Sequence, residues 1–180
     1  MKIRKLHSLL LILFTTFLFS CGEEVKLQNA VQEEFEIARN NFYSKYVDAP
    51  NQIKKSDVFN ESRKHTCIFE QKHGRKFYDW EGEIDAISTN QGGDEIEYFA
   101  ITSIKSSMTY KQFDIKRGSA LYNQIAEFSE GDKVKFDFKF NDEPFSNNVK
   151  ECFDELSLTE SGSLSDPEFS VSFLNIKKVK

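Results

Sequence analysis

The chain has 180 residues and a formal net charge of −5, with 24 basic residues against 29 acidic ones. That acidic balance argues against binding a nucleic-acid backbone, because such affinity comes mainly from Lys and Arg. With 18 Phe and only 8 Gly and 3 Pro, the composition suits one packed domain with an extra terminal segment and excludes a disordered stalk.

Lys2, Arg4 and Lys5 precede an apolar run from Leu9 to Phe19, interrupted only by Thr15 and Thr16. A basic start and about eleven apolar residues have the form of an export signal, too short to span a bilayer. The run closes on Leu18-Phe19-Ser20-Cys21. This resembles the lipobox of bacterial lipoprotein precursors, with an aliphatic residue three before the cysteine and a small one just before it. Phe19 is bulkier than that family usually carries. The resemblance implies a signal peptide over residues 1–20, cleavage before Cys21 and acylation of Cys21. It places the protein in the bacterial envelope, held to the outer membrane on its periplasmic or surface face. Several acyl chains on one residue anchor stably where one does not. An ordinary signal peptide with a chance cysteine is the competing reading.

Removing residues 1–20 takes away three basic residues and no acid, so 21 basic residues face 29 acidic ones, a net of −8. Gly22-Glu23-Glu24 then forms an acidic tether, which an anionic membrane surface repels, so the body is expected to stand off the bilayer.

Residues 25–47 read as a helix. Val31, Phe35, Ala38, Phe42 and Tyr46 recur at spacings of three and four and make one apolar stripe. Asp48-Ala49-Pro50 ends it. A second helical segment is expected from Asn51 to Glu70, with His73-Gly74 as punctuation. Residues 21–72 are thus a tether and helical segment, and 73–180 a β domain.

The period changes at Lys76. In KFYDWEGEIDAIST, Tyr78, Trp80, Gly82, Ile84 and Ala86 alternate with Asp79, Glu81, Glu83 and Asp85, a strand with a carboxylate at each outward position. Asn90 to Asp94 is a turn. Residues 95–104 form a second strand, apolar on both faces near Phe99 to Ile101, so something covers it. Met108 to Ile115 is a third strand, Gly118 to Phe128 a short helix, and residues 132–140 a fourth strand with Val134, Phe136, Phe138 and Phe140 inward. A polar loop is expected from Asn141 to Asp166, then a fifth strand over residues 168–179.

Three strands, a helix and two strands is the order of an OB-fold, a five-stranded Greek-key barrel with a helix between strands 3 and 4. A meander barrel or an open α+β sheet gives similar strings. Closure would pair the first strand with the fourth, setting the carboxylates at 79, 81, 83 and 85 against Lys133, Lys135 and Lys139. Cross-strand pairs of opposite charge contribute about 0.2–1 kcal/mol each. Two independently solvated faces explain the same pattern.

Four segments resemble a group of bacterial proteins with an OB-fold-like domain of the tRNA anticodon-binding type. They are Ala49 to Ser56, Trp80 to Ile84, Gly131 to Phe136, and Ser157 to Ser163 with Pro167-Glu168-Phe169. The resemblance covers about residues 49–179 and is most specific in the last block. It implies a fold and carries no activity or site.

Cys67 and Cys152 are the two cysteines of the mature body. In an oxidising compartment such a pair reads as a disulfide. Two buried thiols, or a metal site with His65, are the alternatives. His65 and His73 lack a nucleophile motif such as GxSxG, and Cys67 reads as structural, so no catalytic constellation is visible. Asp94, Glu95 and Glu97 lack the spacing of a calcium loop. No cofactor is called for.

Binding is the better expectation. OB barrels bind on the face of strands 2 and 3 and in the neighbouring loops. Here that face is Tyr98, Phe99, Tyr110 and Phe113, with Asn90 to Gly93 and with Ser157, Thr159, Glu160 and Ser161 in the last loop. Aromatics beside hydroxyls suit sugars or peptide segments; the same aromatics could equally pack under the N-terminal helix. The leading expectation is a non-enzymatic protein-binding or adaptor module with an envelope protein as partner. A glycan or small ligand is the second expectation, and the oligomeric state is not readable.

Overall fold

The computed structural model describes residues 30–142 and 152–179. The expected signal peptide, Cys21 and the expected tether lie outside the described residues. Helix α1 runs Ala30–Asp48 and α2 Gln52–Lys72, with strands β1 Phe77–Thr89, β2 Glu95–Ser103 and β3 Thr109–Lys116. Then come α3 Ala120–Ile125, β4 Lys133–Phe140, β5 Asp154–Glu155, α4 Glu160–Ser165 and β6 Glu168–Lys178.

The sheet order β3-β2-β1-β4-β6 closes through a parallel β3–β6 pairing. This is the expected five-stranded OB-like Greek-key barrel, mainly β with N-terminal helices and α3 between the third and fourth strands. β5 is a two-residue addition that pairs with β6 at Asp154↔Ser170 and Glu155↔Phe169.

The expected closure of β1 on β4 is present. Glu81 lies opposite Lys135 and Glu83 opposite Lys133, and Lys135 Nζ sits 3.5 Å from Glu81. Val134, Phe136, Phe138 and Phe140 all point inward. Gly82 is required by a close approach: a Cβ there would lie 2.4 Å from Ile101 Cγ2 and 2.9 Å from the Thr102 carbonyl.

One strand reading fails at its start. Tyr78 was expected inward, but it is 54% exposed and Phe77 is buried instead. Asp79 adopts a left-handed backbone (φ 55°) and its N–H donates to Asp137 Oδ1 at 2.8 Å. That irregularity shifts the register between Phe77 and Trp80 and reverses the alternation. A single strong period could not reveal it.

The stripe on α1 packs as its spacing predicts, with Phe35, Phe42 and Tyr46 buried. Phe35 enters the barrel core, its ring 5.0 Å from Phe69, 5.7 Å from Trp80 and 6.0 Å from Phe169. Burying such a ring contributes about 2–3 kcal/mol. The helices and barrel therefore share one core. Asn51 caps α2 by accepting from the Lys54 N–H at 3.0 Å.

Polar residues on α1 are buried as well. Gln32 donates from Nε2 to the Glu81 carbonyl at 2.9 Å and accepts the Glu81 N–H at 2.8 Å. Arg39 donates to Ser62 Oγ at 2.9 Å and to the Ser163 carbonyl, and lies 3.8 Å from Glu155. Arg63 approaches Glu155 at 3.4 Å. Burial pushes the Glu155 carboxyl above its usual range, and Arg39 opposes that shift.

The polar loop expected over 141–166 holds more structure than that: β5, α4 and buried Phe153 and Leu164. Its anchor is the disulfide between Cys67 on α2 and Cys152, 85 residues apart. The thiol and metal readings of Cys67 are excluded by that bond.

Two variants test these constraints. Gln32→Met leaves both Glu81 backbone groups without their amide partner, and urea unfolding should show a loss of about 1–3 kcal/mol. Cys67→Ser with Cys152→Ser should lower stability by about 4 kcal/mol, the chain-entropy value for so long a loop.

Candidate functional site

The β2–β3 pairing sets Tyr98 opposite Phe113 and Ala100 opposite Lys111. The Tyr98 and Phe113 rings lie 5.7 Å apart on the outer face, with Phe113 44% exposed. Lys111 Nζ sits 5.4 Å over the Tyr98 ring and 2.6 Å from Glu168 at the start of β6. Burial acts to lower Lys111, but the Glu168 hydrogen bond and the neighbouring Tyr98 outweigh it and leave the ammonium raised.

Glu168 extends this face to the last loop, because its N–H donates to Ser157 Oγ at 3.2 Å. Leu158, next in the chain, is 99% exposed. Tyr98, Phe113, Lys111, Glu168 and Ser157 thus form one connected surface ending at an exposed leucine.

The structure divides the remaining candidates. Tyr110 is fully buried in the barrel, 5.7 Å from Trp80 and 4.9 Å from Phe138, and burial holds its hydroxyl well above the usual range. Phe99 is buried too. Both point inward because β2 and β3 alternate, so Tyr110 and Phe99 are core and not ligand surface. Thr159 caps α4 by accepting from the Gly162 N–H at 3.0 Å. Glu160 accepts from Ser56 Oγ at 2.9 Å and Gln52 at 3.1 Å, fastening α4 to α2. Ser161 is exposed on α4. Lys111 and Glu168 were missed in the sequence because their meeting depends on the parallel β3–β6 pairing, which no local pattern shows.

The Asn90–Asp94 turn is tied down by its own neighbours. Asp94 pairs with Arg117 at 3.0 Å, Glu95 pairs with Lys116, and the Tyr122 hydroxyl donates to the Gly93 carbonyl at 2.6 Å. His65 packs 5.4 Å from Phe42 and His73 packs 4.5 Å from Phe69. Among the described residues, no group of three or more His, Cys, Asp or Glu gathers in a way that would hold a metal ion.

No protein-family model matches the chain, and no curated protein matches it in sequence. The functional reading therefore rests on this chain's own surfaces.

Because Tyr98 and Phe113 cover little of the core, replacing both with Ser should change the unfolding free energy by less than about 1 kcal/mol. Tyr110→Ser should cost about 3–5 kcal/mol, the range for emptying a large buried aromatic site. Paired denaturation curves compare the two.

Proposed function

We propose that the protein is a lipid-anchored bacterial envelope lipoprotein, acylated at Cys21, whose OB-like barrel is a non-enzymatic protein-binding or adaptor module. The carrying observation is the outer β2–β3 face, where Phe113 stays exposed beside Tyr98, together with the exposed Leu158 of the last loop, on a barrel whose interior is packed with aromatic rings. Exposed apolar groups rimmed by a Lys–Glu pair are features of a protein contact surface. The anchor rests on the basic start, the apolar run and the box ending at Cys21.

A second reading has one specific support. An aromatic pair beside the Lys111–Glu168 pair and the Ser157 hydroxyl also suits a glycan or another small polar ligand, with ring faces for stacking and polar groups for orientation.

Native mass spectrometry of protein extracted gently from its own membranes tests both. The adaptor reading expects an added polypeptide mass that the Tyr98→Ser/Phe113→Ser variant loses. An added small-molecule mass lost in the same variant would replace it with the ligand reading. A bare acylated monomer would overturn both as stable complexes. A Cys21→Ser protein that still fractionates with membranes would overturn the anchor.

A further inference from the structure

Where the chain leaves α2 for β1, Gly74 and Arg75 both take left-handed backbone angles, φ 74° and 63°. Side chains other than glycine rarely adopt them. Arg75 is held there by several bonds. Its N–H donates to the Glu70 carbonyl at 3.0 Å and its Nε to Glu70 Oε1 at 2.9 Å. Its Nη2 donates to Asp142 and to the Cys152 carbonyl, the latter at 3.3 Å beside the disulfide. The result is one wall of a cleft of about 350 Å³, which Lys76, Lys139, Asn141 and Asp142 also line.

Among its described lining residues the cleft carries Arg75, Lys76 and Lys139 against Asp142. Arg75 engages both Glu70 and Asp142. Phe77 pairs with Phe138, and extending that antiparallel register by one residue sets Lys76 opposite Lys139. Like charges directly opposite are destabilising. Farther along, the same two strands set Glu81 against Lys135 and Glu83 against Lys133. The opposite-charge pairing at Glu81 and Glu83 is absent where the two strands border the cleft, as it is where the Asp79 N–H meets Asp137 Oδ1.

We propose that this cleft binds a phosphate-type oxyanion, with the ammonium groups of Lys76 and Lys139 as its charge partners and Arg75 fixing the wall beside them. Two lysines lining one cleft match the double charge of a phosphate monoester better than the single charge of a carboxylate. The opening leaves room for the group that carries the phosphate. That group is either a lipid headgroup or a soluble molecule. The headgroup source is within reach: Lys76 also borders a cavity lined by Val31, in the first turn of α1. Eight residues lie between Cys21 and Ala30, so at most about 30 Å of chain links them. The site itself stands on the cleft and not on the anchor.

The test uses the mature chain, purified in nonionic detergent and titrated with inorganic pyrophosphate, with amide NMR shifts read at Lys76, Phe77, Lys139 and Asn141. Saturable shifts at these amides are expected. Lys76→Met and Lys139→Met should each weaken binding about tenfold, the equivalent of one charge-assisted contact. Each variant should also keep its urea midpoint, since both lysines are exposed; this separates lost binding from lost fold. Absence of saturation by about 10 mM, weaker than a millimolar site, or unchanged binding in the double variant, would overturn the proposal. The same chain in nanodiscs of phosphatidylcholine, with and without phosphatidylglycerol, assigns the source. Shifts of these amides on adding the anionic lipid identify the headgroup, and a response to pyrophosphate alone identifies a soluble phosphate.

Discussion

The fold depends on how α1 closes the barrel. β2 pairs with β1 as far as Ser103 opposite Gly82, and there the strand ladder stops. The next rung, at Glu81, is supplied by the Gln32 side chain, whose amide offers a donor and an acceptor in the arrangement of a strand backbone. One turn along the helix, Glu36 accepts from the Ser103 hydroxyl, and Phe35 beside it enters the core. A buried backbone group left without a partner carries its full desolvation cost. The amide thus completes the sheet while the ring fills the barrel, and neither works if α1 shifts.

That arrangement explains what the sequence could and could not show. Strand order, the helix between β3 and β4, and the inward face of β4 were legible because alternation at Val134, Phe136, Phe138 and Phe140 is a local signal. The apolar stripe of α1 was legible for the same reason. Gln32, Glu36 and Arg39 were not, because polar residues on a helix read as solvated until their partners are known. Apart from the Gln32–Glu36 bond, their hydrogen-bond partners lie 23 to 124 residues away in the chain. Tyr78 misled because a left-handed residue at Asp79 reverses the period. α4 escaped because ESGSLS carries no periodicity and is held by Arg39, Ser56 and Gln52 from outside.

The candidate surface was half legible. Tyr98 and Phe113 were found from the second and third strands, whereas Tyr110 and Phe99 belong to the interior of the same strands. Sequence alone names the aromatics but not the face each one takes where β2 is apolar on both sides. The last loop divides in the same way. Ser157 joins the surface through a β6 backbone bond, while Thr159 and Glu160 are consumed in holding α4. A hydroxyl-rich loop therefore does not behave as one site.

Stiffness is also distributed unevenly with respect to these surfaces. The disulfide fixes Cys152 to α2, Arg39 and Arg63 converge on Glu155, and Asn141 bonds to Ser170 and Ser172 on β6. Both ends of the 141–166 connection are thereby bound to the helices and to β6. The cleft wall at Arg75 shares this bracing through the Cys152 carbonyl. The Glu70–Arg75–Asp142 bridge and the Cys152 carbonyl together hold the turn that leads into Lys76.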